Sequence, residues 1–139
     1  MAGSETVDHE AIQRARASLA RCVTSPDFIQ RFYELFMAAS PEIAELFRDT
    51  DFERQKRVLK DSLFVMLVAA GTRKGPAHHE LERLAKRHQQ IGVTSEMYVA
   101  WVDTLLEAAR QSDPEFSDEL EQDWREAMHG PVALMQSHR

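Results

Sequence analysis

Apolar residues recur three and four positions apart along almost the whole chain, which is the spacing of α-helices that each bury one face. No alternation of apolar and polar residues, the pattern of a half-buried β-strand, persists. Turn-forming residues separate the apolar stripes at 25–27, 40–41, 71–76 and 111–114. The pattern therefore predicts an all-α fold of seven to eight helices in a single domain that spans residues 1–139.

Capping and breaking residues predict where several of these helices begin and end. A residue among 49–51 is expected to cap the fourth helix, Thr94 or Ser95 caps the sixth, and Gly92 ends the fifth. The Gly130-Pro131 pair predicts a bend or an early end in the last helix, because a proline inside a helix costs about 3 kcal/mol. The apolar stripes of the first, second, fourth, sixth and last helices begin at Val7, Phe28, Phe52, Met97 and Phe116. A short third element opens at Ser40-Pro41, and the fifth helix is expected to run from about His79 to Gln90.

Composition limits the classes of function. Seventeen basic and 23 acidic side chains give a net charge of −6, which argues against a nucleic-acid partner. The one cysteine, Cys22, excludes an internal disulfide framework. No apolar run approaches the roughly 20 residues of a membrane span, and no signal-like run follows Met1. We therefore expect a cytoplasmic protein with no membrane partner.

A histidine continues the apolar face of the fifth predicted helix. Leu81, Leu84 and Ala85 recur at helical spacing, and His88 lies on the same stripe. A neutral imidazole in such a position binds iron or zinc through one of its ring nitrogens. The alternative interpretation is an ordinary core histidine that is hydrogen-bonded to the backbone.

Two further polar residues lie among large apolar neighbours. Gln55 falls near the centre of the apolar stripe of the fourth helix, and Tyr33 lies among the phenylalanines of the second. Buried tyrosine and glutamine side chains need partners, since an unsatisfied polar group costs about 1–3 kcal/mol. Both residues are candidate hydrogen-bond donors to a ligand in the core. The alternatives are a core tyrosine whose hydroxyl reaches solvent and a glutamine that points outward.

Several short segments occur in an order and at a spacing that resemble a known family. They are Phe32-Tyr33 with Phe36, the run Pro41-Glu-Ile-Ala-Glu-Leu-Phe47, Gln55 with Leu59, the run Leu84-Ala-Lys-Arg-His88, Gly92-Val93, and Tyr98. Together they are similar to the globins, in particular to bacterial single-domain haemoglobins and to the globin domain of flavohaemoglobins. The resemblance covers about residues 28–124 and implies a globin fold around a haem pocket.

The resemblance also implies a role for each matching residue. His88 matches the proximal histidine that binds the iron of haem b. Tyr33, Gln55 and Leu59 match the distal side, where the ligand binds. The other matching residues imply contacts with the cofactor or with the proximal imidazole: Phe47 stacked on the porphyrin, Leu84 and Val93 on the proximal side, and Tyr98 near His88. Arg87 is a candidate partner of a haem propionate, with a solvated surface arginine as the alternative.

The implied function is reversible binding of dioxygen and other diatomic gases, with Tyr33 and Gln55 as hydrogen-bond donors to the ligand. The alternatives are nitric oxide dioxygenation or peroxidase chemistry with an external reductase, or gas sensing; the oligomeric state, monomer or homodimer, stays open. The chain departs from flavohaemoglobins where an acidic residue is expected near 137–139, since none is present there. Lys56 is bulky for its position, which puts the distance from the fourth helix to the haem in doubt.

Overall fold

The computed structural model describes residues 8–72 and 74–137, and Val7, the first residue of the first apolar stripe, lies outside them. Within these ranges the chain forms seven α-helices and no strand, which confirms the all-α prediction. The helices are α1 His9–Thr24, α2 Phe28–Ala39, α3 Pro41–Leu46, α4 Phe52–Ala70, α5 Pro76–Gln90, α6 Ser95–Ser112 and α7 Asp118–Gln136.

Most of the helix ends follow the capping residues in the sequence. The Asp51 side chain accepts a hydrogen bond from the Arg54 N–H at the start of α4, and Thr94 caps α6 in the same way. Gly92 follows the end of α5 with φ +89°, a conformation that strongly favours glycine. One start was predicted too late, because α5 begins with Pro76 rather than near His79. Proline suits a first helical position, where its missing N–H has no helical partner to lose.

The predicted early end of the last helix is wrong. Helix α7 continues through Pro131 to Gln136, although proline removes one backbone hydrogen bond. Pro131, Val132 and Met135 are all buried in the core, so the turns beyond the proline are anchored by apolar contacts. Burial of such side chains contributes about 1.5–3 kcal/mol each, which offsets the lost bond.

The helices pack around one cluster of buried apolar side chains. Helix α2 packs against α6, while α7 packs against α1, α4 and α5. Phe28, Phe32 and Trp124 are the largest fully buried residues, and the aromatic face predicted for α2 thus lies in the core. In the described part of the chain, no helix is both long enough and apolar enough to cross a membrane.

A buried carboxylate ties α1 to the connection between α6 and α7. Asp113 accepts hydrogen bonds from Ser18 Oγ at 2.6 Å, from Arg21 Nε at 2.7 Å and Nη2 at 3.0 Å, and from the Glu115 N–H at 2.9 Å. Burial by itself would raise the pKa of Asp113, but the hydrogen bonds from Arg21 and Ser18 outweigh it and lower this pKa below its ordinary value. The carboxylate is therefore ionised and fully paired.

Candidate functional site

Tyr33 on α2 and Gln55 on α4 form a hydrogen-bonded pair. Tyr33 is buried, and Gln55 Nε2 donates to its hydroxyl oxygen at 3.0 Å. The hydroxyl itself has only a long contact, 3.5 Å, to the backbone carbonyl oxygen of Gln55. Burial raises the pKa of Tyr33 to about 12, so the phenol keeps its proton at neutral pH. The Tyr33 hydroxyl is therefore protonated, and its hydrogen is available for a shorter hydrogen bond to another acceptor.

Phenylalanine rings pack against the ring of Tyr33. The ring centroids of Phe47 and Phe52 each lie 5.5 Å from that of Tyr33, both in edge-to-face geometry. Phe47 also lies 6.0 Å from Phe36. Phe52 is a site-lining residue that the sequence analysis did not single out. Its position three residues before Gln55, on the same face of α4, was the available signal.

His88 on α5 and Tyr98 on α6 form a second pair. The Nδ1 atom of His88 lies 3.1 Å from the hydroxyl oxygen of Tyr98. The ring of His88 is half-buried, and Tyr98 is buried. The Val93 N–H donates to the carbonyl oxygen of His88 at 2.9 Å, so the turn at Gly92 holds the end of α5 beside this ring.

The second ring nitrogen of His88 is free to bind a ligand. Within residues 8–72 and 74–137, Nε2 has no hydrogen-bond partner. Burial, and then the charge of Arg87, lower the pKa of His88, which favours the neutral imidazole. Metal binding through Nε2 requires the tautomer in which Nδ1–H donates to the Tyr98 oxygen.

The remaining residues predicted for the site divide between the core and the surface. Leu59 is buried, and Leu84 and Val93 are half-buried against the core cluster. Arg87 is exposed. Lys56 is half-buried with its Nζ 3.3 Å from a carboxylate oxygen of Glu53, so its charged end is directed along α4.

These groups fit a haem better than an isolated metal ion. A haem needs one nitrogen ligand for its iron, such as a neutral imidazole, and apolar and aromatic walls around its porphyrin. His88, Leu59 and Phe47 are residues of those kinds. A structural zinc site needs several protein ligands, and no group of three or more candidate ligands occurs among the described residues. His78 is half-buried, and its Nε2 contacts the carbonyl oxygens of Ala69 and Thr72 at the end of α4.

Seven helices in this order, with a histidine on the fifth and a tyrosine on the second, define a globin-like protein. A crystal structure of protein PA3967 from Pseudomonas aeruginosa PAO1, described as structurally highly homologous to a human hemoglobin, is similar to this chain with a TM-score of 0.86. The two sequences are 30% identical over 92% of this chain and 97% of the other. No protein-family model matches the sequence, and a comparison with curated proteins finds no match. This chain belongs to the globin family.

Proposed function

We propose that this chain, as one globin domain over residues 1–139, binds haem b through Nε2 of His88 and reversibly binds dioxygen. The single observation that carries the proposal is the state of the His88 ring: Tyr98 holds one nitrogen and the other has no partner in the described part of the chain. A half-buried imidazole oriented in this way is prepared to act as a ligand. The similarity to a protein described as homologous to a human hemoglobin supports the same function.

The Tyr33–Gln55 pair supports dioxygen as the ligand. Haem held by His88 would supply the iron for dioxygen binding and would make the ligand polar. The Tyr33 hydroxyl, oriented by Gln55, is suited to donate a hydrogen bond to such a ligand. Leu59 and the aromatic rings around Tyr33 exclude water, which lengthens the life of the bound state.

The surroundings of Tyr98 favour reversible binding over peroxidase chemistry. Peroxidase-like reactions gain from an anionic partner that increases the electron donation of the proximal imidazole. Among the described residues, the recorded hydrogen-bond partner of the Tyr98 hydroxyl is His88 and not a carboxylate. The proximal imidazole is therefore held by a neutral phenol.

The proposal is tested by adding hemin to the purified chain and recording absorption spectra of the ferric, ferrous and carbon monoxide forms. We expect one equivalent to bind with a sharp Soret band, and the reduced protein to bind and release dioxygen. His88→Leu should lose the histidine-ligated ferrous carbon monoxide spectrum. His129→Leu, at an exposed histidine on α7, is the matched control and should keep it. Failure to bind hemin, or unchanged spectra in His88→Leu, contradicts the proposal.

A further inference from the structure

Charge is divided unequally between two halves of the chain. Residues 52–90, which include α4 and α5, carry nine basic and four acidic side chains. Residues 95–137, which include α6 and α7, carry two basic and ten acidic side chains. The whole chain has a net charge of −6, so the positive charge of residues 52–90 is opposite in sign to that of the whole chain.

Most basic side chains of α4 and α5 form no ion pair with an acidic side chain in the described part of the chain. Both arginines of α6–α7 are paired with acids: Arg110 with Glu121 at 2.9 Å and Arg125 with Asp103 at 3.2 Å. Within the part of the chain that the structure describes, five exposed cations of α4 and α5 form no ion pair. We call them the basic surface: Arg54, Arg57, Lys60, Lys86 and Arg87.

The basic surface lies next to the candidate site along the chain. Arg54 is the neighbour of Gln55 on α4, Arg87 is the neighbour of His88 on α5, and the two helices pack against each other. On α4 the cations extend over seven residues, a rise of about 9 Å along the helix, which is too wide for one small anion and suits a second macromolecule.

We infer that the basic surface docks an acidic electron-donor protein that keeps the iron ferrous. The inference rests on the proposed function, because a haem that binds dioxygen reversibly must be reduced again whenever it is oxidised. The reduced donor gives one electron to the ferric iron and is itself oxidised by one electron, and no covalent bond forms or breaks.

Electrostatics of this kind also orient the donor. A positive surface attracts an acidic protein and raises its association rate 10- to 1000-fold at low ionic strength. The acidic half formed by α6 and α7 repels the same donor, so encounters concentrate beside His88 and Gln55. A salt concentration near 0.2 M screens charges more than about 10 Å apart and should remove most of the gain.

The test uses the hemin-loaded chain and two reduced donors, a small acidic [2Fe–2S] ferredoxin and neutral photoreduced lumiflavin. Reduction of the ferric protein is followed by stopped flow at 20 and 200 mM salt, and binding of fluorescently labelled ferredoxin is followed by anisotropy. The variants are Lys60→Glu, Lys86→Glu and the double variant. Arg16→Glu on α1 is the control, since Arg16 is exposed and changes the net charge equally.

We expect reduction by ferredoxin to slow about tenfold at high salt, about fivefold in each single variant and further in the double variant. Arg16→Glu should remain within twofold of the parent, and reduction by lumiflavin should not change in any variant. Ferredoxin affinity should fall in the same order. A haem-loaded chain with salt-independent reduction, or equal losses in Arg16→Glu, overturns the docking surface alone. Salt-sensitive self-association without ferredoxin binding assigns the basic surface to a second copy of this chain and overturns the inference. A chain that binds no haem overturns the proposed function together with the inference.

Discussion

Two polar clusters of this molecule differ in how completely the chain satisfies their hydrogen bonds. The carboxylate of Asp113 is buried and accepts hydrogen bonds from Ser18, Arg21 and the Glu115 backbone. In the candidate site, each of the two pairs makes one hydrogen bond between side chains and leaves one group without a close partner in the described ranges. Nε2 of His88 has no partner among the described residues, and the hydroxyl hydrogen of Tyr33 has only a contact of 3.5 Å.

Under the proposed function, the difference separates residues that stabilise the fold from residues that bind a ligand. A fully paired buried group contributes to folding in the free protein, and removing it leaves its partners unsatisfied. A partly paired group near the core contributes less to folding and gains its missing bond when a ligand binds. Substitutions in the two clusters should therefore separate stability from ligand binding.

The largest expected effect is the loss of stability in Asp113→Ala. The change leaves Ser18 and Arg21 without their common acceptor, and breaking such a buried pair costs about 3–5 kcal/mol. We expect the free energy of unfolding, measured with urea, to fall by about 3 kcal/mol. Asp103→Ala removes an exposed acid of α6, the helix that ends just before Asp113, and serves as the control, with an expected loss below about 1 kcal/mol. Equal losses in the two variants would contradict the comparison.

The same carboxylate predicts how stability depends on pH. Because the pKa of Asp113 is lowered in the folded state, its contribution is complete above the pKa of the unfolded chain and is lost as the pH falls through the folded value. The parent protein should therefore lose stability steeply below about pH 4. Asp113→Asn, if it folds, should show a flatter acid limb in urea titrations from pH 2.5 to 6. Glu121, whose pKa is lowered by hydrogen bonds from Arg110 and then Arg125, remains in both proteins and leaves some slope in each.

The sequence predicts the features of the fold that depend on local physics. The caps at Asp51 and Thr94 and the glycine at Gly92 are determined by neighbouring residues, and each occurs where expected. The sequence left open whether α7 bends or ends at Pro131, because the penalty of the proline is local while the contacts that offset it come from the rest of the core. Rules based on neighbouring residues thus overestimate the effect of a helix-breaking residue when tertiary packing stabilises the helix around it.

The same limit applies to the polar clusters. The spacing of Tyr33, Gln55 and His88 on apolar faces predicts inward polar groups, and the structure gives each of the three a side-chain partner from another helix. Tyr33 and Gln55 pair with each other, and His88 pairs with Tyr98. The direction of the Tyr33–Gln55 bond, with the amide as donor, depends on three-dimensional placement and was not predictable. Asp113 was interpreted only as part of a helix break, because its partner Arg21 lies 92 residues away in the sequence.

Tyr33→Phe is expected to change ligand release more than stability. The variant keeps the aromatic packing against Phe47 and Phe52 but removes the hydroxyl that Gln55 orients. Loss of one hydrogen bond to a polarised ligand, worth about 1.4 kcal/mol, should speed dioxygen release about tenfold. Carbon monoxide is polarised much less and serves as the control ligand, with release changed less than twofold. Unchanged dioxygen release in flow experiments would mean that the hydroxyl does not face the ligand.

The smallest effect is expected for Gln55→Leu, and it tests the order of the two residues. Because Gln55 Nε2 donates to the Tyr33 oxygen, its first role is to orient the hydroxyl rather than to meet the ligand itself. Without the amide the Tyr33 ring still packs against Phe47 and Phe52, so dioxygen release should accelerate only about two- to threefold, which corresponds to about 0.5 kcal/mol. If Gln55 acts only through Tyr33, Gln55→Leu should add nothing to the Tyr33→Phe variant in a double-mutant cycle. Additive losses in that cycle would instead show that both side chains donate to the ligand independently.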